Sequence, residues 1–236
     1  METIFVVMAA VFTILSILVM IWLRNNQKRI TKNYVNSALE LGFEPFQEDD
    51  PIFLYRLANL HKKIGFQRLE ARNLYRRQGS DYQLYLFDLF MKGSEGPSRL
   101  KEAVIAVQST LLNLPRVSIK PKLRQRGFLG FSGKLLHPIA DVLFSREFTQ
   151  IRFERNPEFE RQYFVFGRDE EAIREFLSDQ VLWRLSRDQN WQIETEKDLF
   201  TFTMLERDYL KMLKADVDLK QLVSEALVIF DLFRER

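Results

Sequence analysis

The sequence predicts an α+β domain on a mainly antiparallel sheet, preceded by one N-terminal membrane-spanning helix. Three observations carry that prediction. The N-terminus is a charge-free apolar run, short strand-like segments pair as hairpins around turn residues, and amphipathic helical stretches are interspersed among them.

Composition sets the bounds. The chain has 236 residues, 46% hydrophobic and 28% charged, with few glycines and prolines, a mixture that folds rather than stays disordered. Setting the apolar run aside leaves about 210 residues, enough for one large domain or two small ones. The 21 phenylalanines predict a core of large flat side chains. A net charge of +3 does not argue for nucleic acid, and no recognition-helix pattern accompanies it, so no nucleic-acid partner is expected. The absence of cysteine excludes disulfides, thiol catalysis and thiolate metal sites, and it fits a reducing compartment.

From Thr3 to Leu23 there are 21 residues without a charge, and 13 of those from Ile4 onward are Ile, Leu, Val or Phe. At about 1.5 Å per residue, twenty helical residues span the roughly 30 Å hydrocarbon core. A cleaved signal peptide fits poorly. The start Met1-Glu2-Thr3 is not basic, the run is too long, and Trp22-Leu23-Arg24-Asn25 is a poor cleavage site. A buried core helix fits worse, because apolar side chains occupy every face. The segment therefore reads as an uncleaved, single-pass signal-anchor. Arg24, Lys28, Arg29 and Lys32 follow it with no acidic residue before Glu40, which puts the rest of the chain in the cytoplasm by the positive-inside rule. The plainer reading is that these cations only set topology; the other is that they also touch anionic headgroups. The expected division is an anchor at 1–23, a juxtamembrane helix at 24–41 and a cytoplasmic α+β domain at 42–236.

Within the domain, Ile30 to Leu41 reads as a helix stopped by Gly42. Asp50-Pro51 resembles an N-cap with proline at the first helical position, and Phe53, Leu54, Leu57, Ala58 and Ile64 make the apolar stripe of the helix that follows. Phe66 to Arg77 and Asp81 to Met91 flank Gln78-Gly79-Ser80 as a hairpin. Glu102 to Gln108 and Arg116 to Lys120 read as short strands. Phe148 to Glu154 and Phe159 to Phe166 read as a further pair of strands. A helix capped by Asp169 is predicted from Glu170 to about Arg187, with Glu170 and Glu171 at its positive end. Trp191 to Glu196 and Leu199 to Leu205 form the last hairpin. The final helix, Asp218 to Arg234, carries Leu219, Leu222, Val223, Ala226, Leu227, Phe230 and Phe233 on one face.

The segment most suggestive of function is the loop from Pro121 to Pro138. Between Leu111 and Ala140 there are six Lys or Arg and no Asp or Glu. Arg124, Arg126 and Lys134 are interleaved with Phe128 and Phe131, as suits a loop that dips into a headgroup layer or meets a partner. The plainer reading is that the rings fold back onto the sheet while the cations stay solvated. Gly127, Gly130 and Gly133 before Lys134 imitate a phosphate loop, but the first required glycine falls at Phe128 and Leu135 replaces the Ser or Thr.

His61 lies on the apolar stripe of its helix without a second ligand nearby, and His137 sits among repelling cations. Glu48-Asp49-Asp50 lacks the spaced oxygens of a calcium loop. Arg155, Glu158, Glu160 and Arg161 read as the charged face of a hairpin. No catalytic, cofactor-binding or metal-ligating residue is assigned.

Leu114-Pro-Arg-Val-Ser-Ile-Lys-Pro121, and Phe153-Glu-Arg-Asn-Pro-Glu-Phe-Glu-Arg-Gln-Tyr-Phe-Val-Phe-Gly-Arg-Asp-Glu170, carry a resemblance. Together with the Trp191-Gln-Ile-Glu hairpin, this order resembles a family of uncharacterised bacterial proteins with an N-terminal transmembrane helix and a soluble domain of unknown function. The resemblance covers roughly residues 110 to 205. It implies a membrane-anchored domain and brings no catalytic residues. The expected function is therefore a non-enzymatic module at the cell membrane that binds a protein partner or anionic lipid headgroups. The alternative is a membrane-tethered enzyme using carboxylate or hydroxyl chemistry.

Overall fold

The structure is a computed structural model that describes residues 12–13, 33–46, 51–60, 66–93, 99–122, 148–187, 191–204 and 218–235. Of the N-terminal apolar run it describes only Phe12 and Thr13, both helical. Among the described residues no helix is long and apolar enough to cross a membrane. The flanking cations Arg24, Lys28, Arg29 and Lys32 lie outside the described residues, as do Glu48 to Asp50, His61, Ile64 and His137.

The chain is α+β, and among the described residues all strands lie in one antiparallel sheet. In chain order the elements are α1 (33–40), β1 (Glu44–Pro45), α2 (Pro51–Leu60), β2 (Phe66–Gln78), β3 (Gln83–Gly93), β4 (Arg99–Gln108) and β5 (Leu114–Pro121). There follow β6 (Thr149–Ile151), α3 (Pro157–Gln162), β7 (Tyr163–Gly167), α4 (Glu170–Phe176), α5 (Asp179–Arg187), β8 (Trp191–Lys197), β9 (Leu199–Met204) and α6 (Leu219–Arg234). The strand order is β1-β2-β3-β4-β9-β8-β5-β7-β6, and every neighbouring pair is antiparallel. The last hairpin, β8–β9, is thus inserted between β4 and β5.

Local chemistry sets several boundaries where expected. Gly42 ends α1 with φ +77°, a conformation that glycine adopts without the strain a side chain would bring. The Asp169 carboxylate accepts from the Ala172 amide at 3.0 Å, and that of Asp218 accepts from the Gln221 amide at 3.0 Å, so each caps its helix.

Two elements differ from expectation. The segment read as one strand from Phe159 to Phe166 begins as α3, because Pro157 stands at the helix start and Phe159 turns into the core; only Tyr163 onward is strand. The charged face expected there belongs to a helix, with Arg161 and Glu158 at 3.9 Å. The helix expected from Glu170 to Arg187 is two helices, α4 and α5, interrupted at Leu177 and Ser178. Leu177 is buried in the break, and Asp179 opens the second helix with its charge at the positive end.

Alternation along the strands creates two apolar layers. One face of the sheet, with Leu84, Leu86, Ile105, Val107, Val117, Ile119, Ile193, Phe200 and Phe202, is packed by side chains of α1, α3, α4, α5 and α6. Burying each such aliphatic or aromatic side chain contributes about 1.5–3 kcal/mol. The C-terminal helix docks through rings: Phe233 lies 4.7 Å from Phe176 and 5.4 Å from Phe200, and Phe230 lies 5.0 Å from Tyr82. Its buried stripe is Leu219, Leu222, Val223, Ala226, Ile229, Phe230 and Phe233; Leu227 is only partly buried at its margin. On the opposite face, α2 covers Tyr85, Phe87, Val104, Ala106 and Leu199 with Phe53, Leu57 and Leu60.

Candidate functional site

The five residues of the basic loop singled out from the sequence, Arg124, Arg126, Phe128, Phe131 and Lys134, lie outside the described residues. What the structure does describe is the strand that leads into that loop. On β5, Val117 and Ile119 point into the main core, so Arg116, Ser118 and Lys120 between and beside them lie on the α2 face.

Arg116 marks the end of the α2 layer. Its guanidinium donates to the carbonyls of Asn59 at 3.0 Å and Leu60 at 3.3 Å, the last carbonyls of α2, which carries no basic residue in its final turn. Beyond this cap the face changes character. Ser118 is paired with Glu194 on β8, Glu194 with Thr201 on β9, and Gln192 with Thr203. Ser118 and Lys120 are also paired with Phe166 and Phe164 on β7. Directly opposed antiparallel residues share a face, so a polar patch across β5, β8 and β9 is edged by two aromatic rings.

The patch is buried. Ser118 is 3% exposed, Glu194 3%, Gln192 4% and Thr201 1%. Glu194 Oε1 accepts from Ser118 Oγ at 2.9 Å and lies 3.5 Å from Lys120 Nζ. A carboxylate so far from water needs such partners, since burying an unpaired charge costs several kcal/mol. Thr203 Oγ1 donates to the carbonyl of Ala103 at 2.8 Å. Gln192 Nε2 and Thr201 Oγ1 are different: neither has a hydrogen-bond partner among the described residues. Each such group costs about 1–3 kcal/mol when left unsatisfied. They are diagonal neighbours on adjacent strands, with Cα atoms about 7–8 Å apart in this geometry. Exposure rises toward the β5–β7 side, where the Lys120 side chain reaches 18% and Phe164 is half-buried.

Three other polar clusters are held by ion pairs and hydrogen bonds. The Asp198 carboxylate takes hydrogen bonds from Arg56 and from Gln108 Nε2 at 3.0 Å; burial raises its pKa, but these donors outweigh burial and hold it below the ordinary value. Asn73, at φ +53° in the β2 bulge, donates to the buried Asp88 carboxylate at 2.6 Å. Burial and the Asp88 charge raise the pKa of the neighbouring Tyr34 and Tyr75 hydroxyls. Lys122 Nζ lies 3.6 Å from Glu160 Oε1 and 4.6 Å from the Phe164 ring centre. Among the described residues no cluster of three or more His, Asp or Glu is placed to hold a metal ion.

Sequence reasoning placed β5, β8 and β9 but missed the patch. Ser118, Lys120, Gln192 and Glu194 recur at every second position, as they would on any solvated strand face. The signal that separates a buried polar patch from a wet one is cross-strand burial, which depends on neighbours roughly 80 residues away.

No protein-family model matches the sequence, and neither does any curated protein. Among solved structures, the chain is similar to the crystal structure of the mycobacterial trehalose monomycolate transport factor A, TtfA. Identity is 12%, over 74% of this chain and 81% of that one, with a TM-score of 0.45. A likeness that remote carries no functional argument.

Proposed function

We propose that this chain is a single-pass, membrane-anchored domain on the cytoplasmic face of the cell membrane. There it binds a lipid headgroup or a protein partner without catalysing a reaction. The observation that carries this reading is the charge-free run from Thr3 to Leu23, with Arg24, Lys28, Arg29 and Lys32 on its C-terminal flank. The resemblance to membrane-anchored bacterial domains of unknown function belongs to the same reading.

Chain length adds support. Nine residues, hence ten residue steps, separate Leu23 from residue 33, where α1 begins, and Ala38 of α1 is fully buried in the main core. That tether extends at most about 33–36 Å, so the domain meets headgroups and neighbouring membrane proteins rather than bulk cytosol. In this reading Arg124, Arg126 and Lys134 meet anionic headgroups or an acidic partner, and Phe128 and Phe131 contribute by burial.

The test is flotation of a fragment starting at Asn25 with anionic vesicles, beside cross-linking of the full-length protein in intact membranes. Weak, salt-sensitive vesicle binding is expected. Reversing the three cations should weaken it far more than tenfold, since each is worth about 1 kcal/mol near the surface. Phe128→Ala and Phe131→Ala should weaken it with little salt dependence. A protein-binding loop would lose its cross-linked partner on the same substitutions without any affinity for lipid. No vesicle binding and no cross-linked partner would overturn the reading. Substitutions serve better than deleting 111–140, which would remove β5 from the middle of the sheet.

The competing reading is an enzyme that uses carboxylate or hydroxyl chemistry, for which the hydrogen-bonded pair Ser118 and Glu194 is the specific candidate. At 3% exposure, however, neither presents a reacting atom to a substrate, and the carboxylate is already held by Lys120.

A further inference from the structure

The helix α2 is apolar on both of its faces. Phe53, Leu57 and Leu60 are buried against the sheet, while Ile52 and Tyr55, one turn apart on the outer face, are 68% and 67% exposed. Among the ten residues from Pro51 to Leu60 there is one charge, and it is already engaged: the Arg56 guanidinium pairs with Asp198 at the β8–β9 turn. A surface helix ordinarily turns charged residues to water. An outer face of Ile52, Tyr55 and Asn59 without a charge suits a covered helix instead.

The chain on either side of α2 points to what covers it. Glu48-Asp49-Asp50 directly precedes Pro51, and Lys62-Lys63 follows Leu60 within three residues, both runs outside the described residues. One flank is therefore acidic and the other basic. We propose that the outer face of α2 pairs with α2 of a second copy of this chain, antiparallel and across a two-fold axis at Tyr55. In sequence, the acidic run and the two lysines are almost equally far from that axis, so each copy's acidic flank lies toward the other's basic flank. Ile52 and Asn59 are likewise equidistant from the axis and meet across it. A parallel pairing would set acid beside acid, and an anionic lipid surface would be repelled by the three carboxylates.

Two helices of this length bury less than the roughly 1,200–2,000 Å² of a stable complex in solution. Confining both copies to one membrane, with nine residues between Leu23 and α1, raises their effective concentration and offsets the small area. That gain rests on the anchored reading above; the complementarity of α2 does not.

The chain has no cysteine, so one introduced thiol reports one position. Membranes carrying full-length Tyr55→Cys are treated with a short bismaleimide, which spans the about 8–10 Å between packed helices. The control is Trp183→Cys, also at an exposed position but on α5, across the sheet from α2. Tyr55→Cys should give a cross-linked dimer and Trp183→Cys at least tenfold less. In the Tyr55→Cys chain, Glu48→Lys with Asp49→Lys should remove most of the dimer, and adding Lys62→Glu with Lys63→Glu should restore it. Equal yields at positions 55 and 183 would mean chance collision and would overturn the proposal, as would the absence of a dimer. A dimer unmoved by the charge reversals would overturn the antiparallel pairing. Recovery of the chain in the soluble fraction would contradict the anchored reading alone, and the same two thiols, cross-linked there, would still decide the pairing.

Discussion

Ser118 and Glu194 face each other across the β5–β8 ladder, and the Ser118 hydroxyl donates to the Glu194 carboxylate at 2.9 Å while Lys120 approaches the same oxygen. The β5–β8 ladder, of which this pair is one rung, joins β1-β2-β3-β4-β9-β8 to β5-β7-β6. Glu194→Ala should cost about 3–5 kcal/mol, because it removes at once the ion pair to Lys120 and the acceptor of the buried Ser118 hydroxyl. The double variant Lys120→Met with Glu194→Leu should recover much of that loss. Denaturant unfolding checks both, and strictly additive costs would show that the pair does not act as one.

Gly167 on β7 sits against Ile173 of α4. A Cβ at this position would fall 2.0 Å from Ile173 Cδ1 and 3.1 Å from the Arg116 carbonyl oxygen. Gly167→Ala should therefore destabilise by about 1–3 kcal/mol, the usual range for overpacking. Ile173→Val should relieve part of the clash, so a double-mutant cycle should give a favourable coupling.

The C-terminal helix offers a graded test. Phe230 is buried and its ring lies 5.0 Å from Tyr82, so Phe230→Ala should cost about 3–5 kcal/mol. Leu227 is only partly buried, and Leu227→Ala should cost clearly less. Equal shifts in unfolding midpoint would mean that the helix is rotated from its position here.

Acid should loosen the contact between α2 and the β8–β9 turn. The folded-state pKa of Asp198 is lowered, so its contribution to stability is complete above the ordinary carboxylate value of 3.8 and is lost as pH falls through the folded value. Asp198→Asn should flatten the acid limb of the stability profile below about pH 4 and lower stability at neutral pH. An acid limb unchanged by the substitution would remove Arg56–Asp198 as its cause.

Much of the fold was legible because its signals are local. The Asp169 cap and Gly42 act within one turn of chain, and the β2–β3 and β8–β9 hairpins follow from short turns between strand-forming runs. The failures were contests between local signals and packing. The aromatics from Phe159 to Phe166 read as a strand, but Pro157 starts a helix and a stacked pair, Phe159 and Tyr163 at 5.2 Å, lies across the helix–strand junction. Nothing in Phe176-Leu177-Ser178 resembles a helix breaker, yet Leu177 is buried and the helix stops. The patch was illegible for a related reason: Gln192 and Thr201 are ordinary strand residues until the sheet closes around them.

Membrane attachment is tested most directly by fractionation of cells that express the full-length protein and a fragment starting at Asn25. The full-length protein should stay with the membranes through carbonate and high-salt washes, and the fragment should be largely released, because only the former carries the run from Thr3 to Leu23. Release of the full-length protein by salt alone would contradict the anchor, and with it the reading of this domain as a binding module held at the membrane surface.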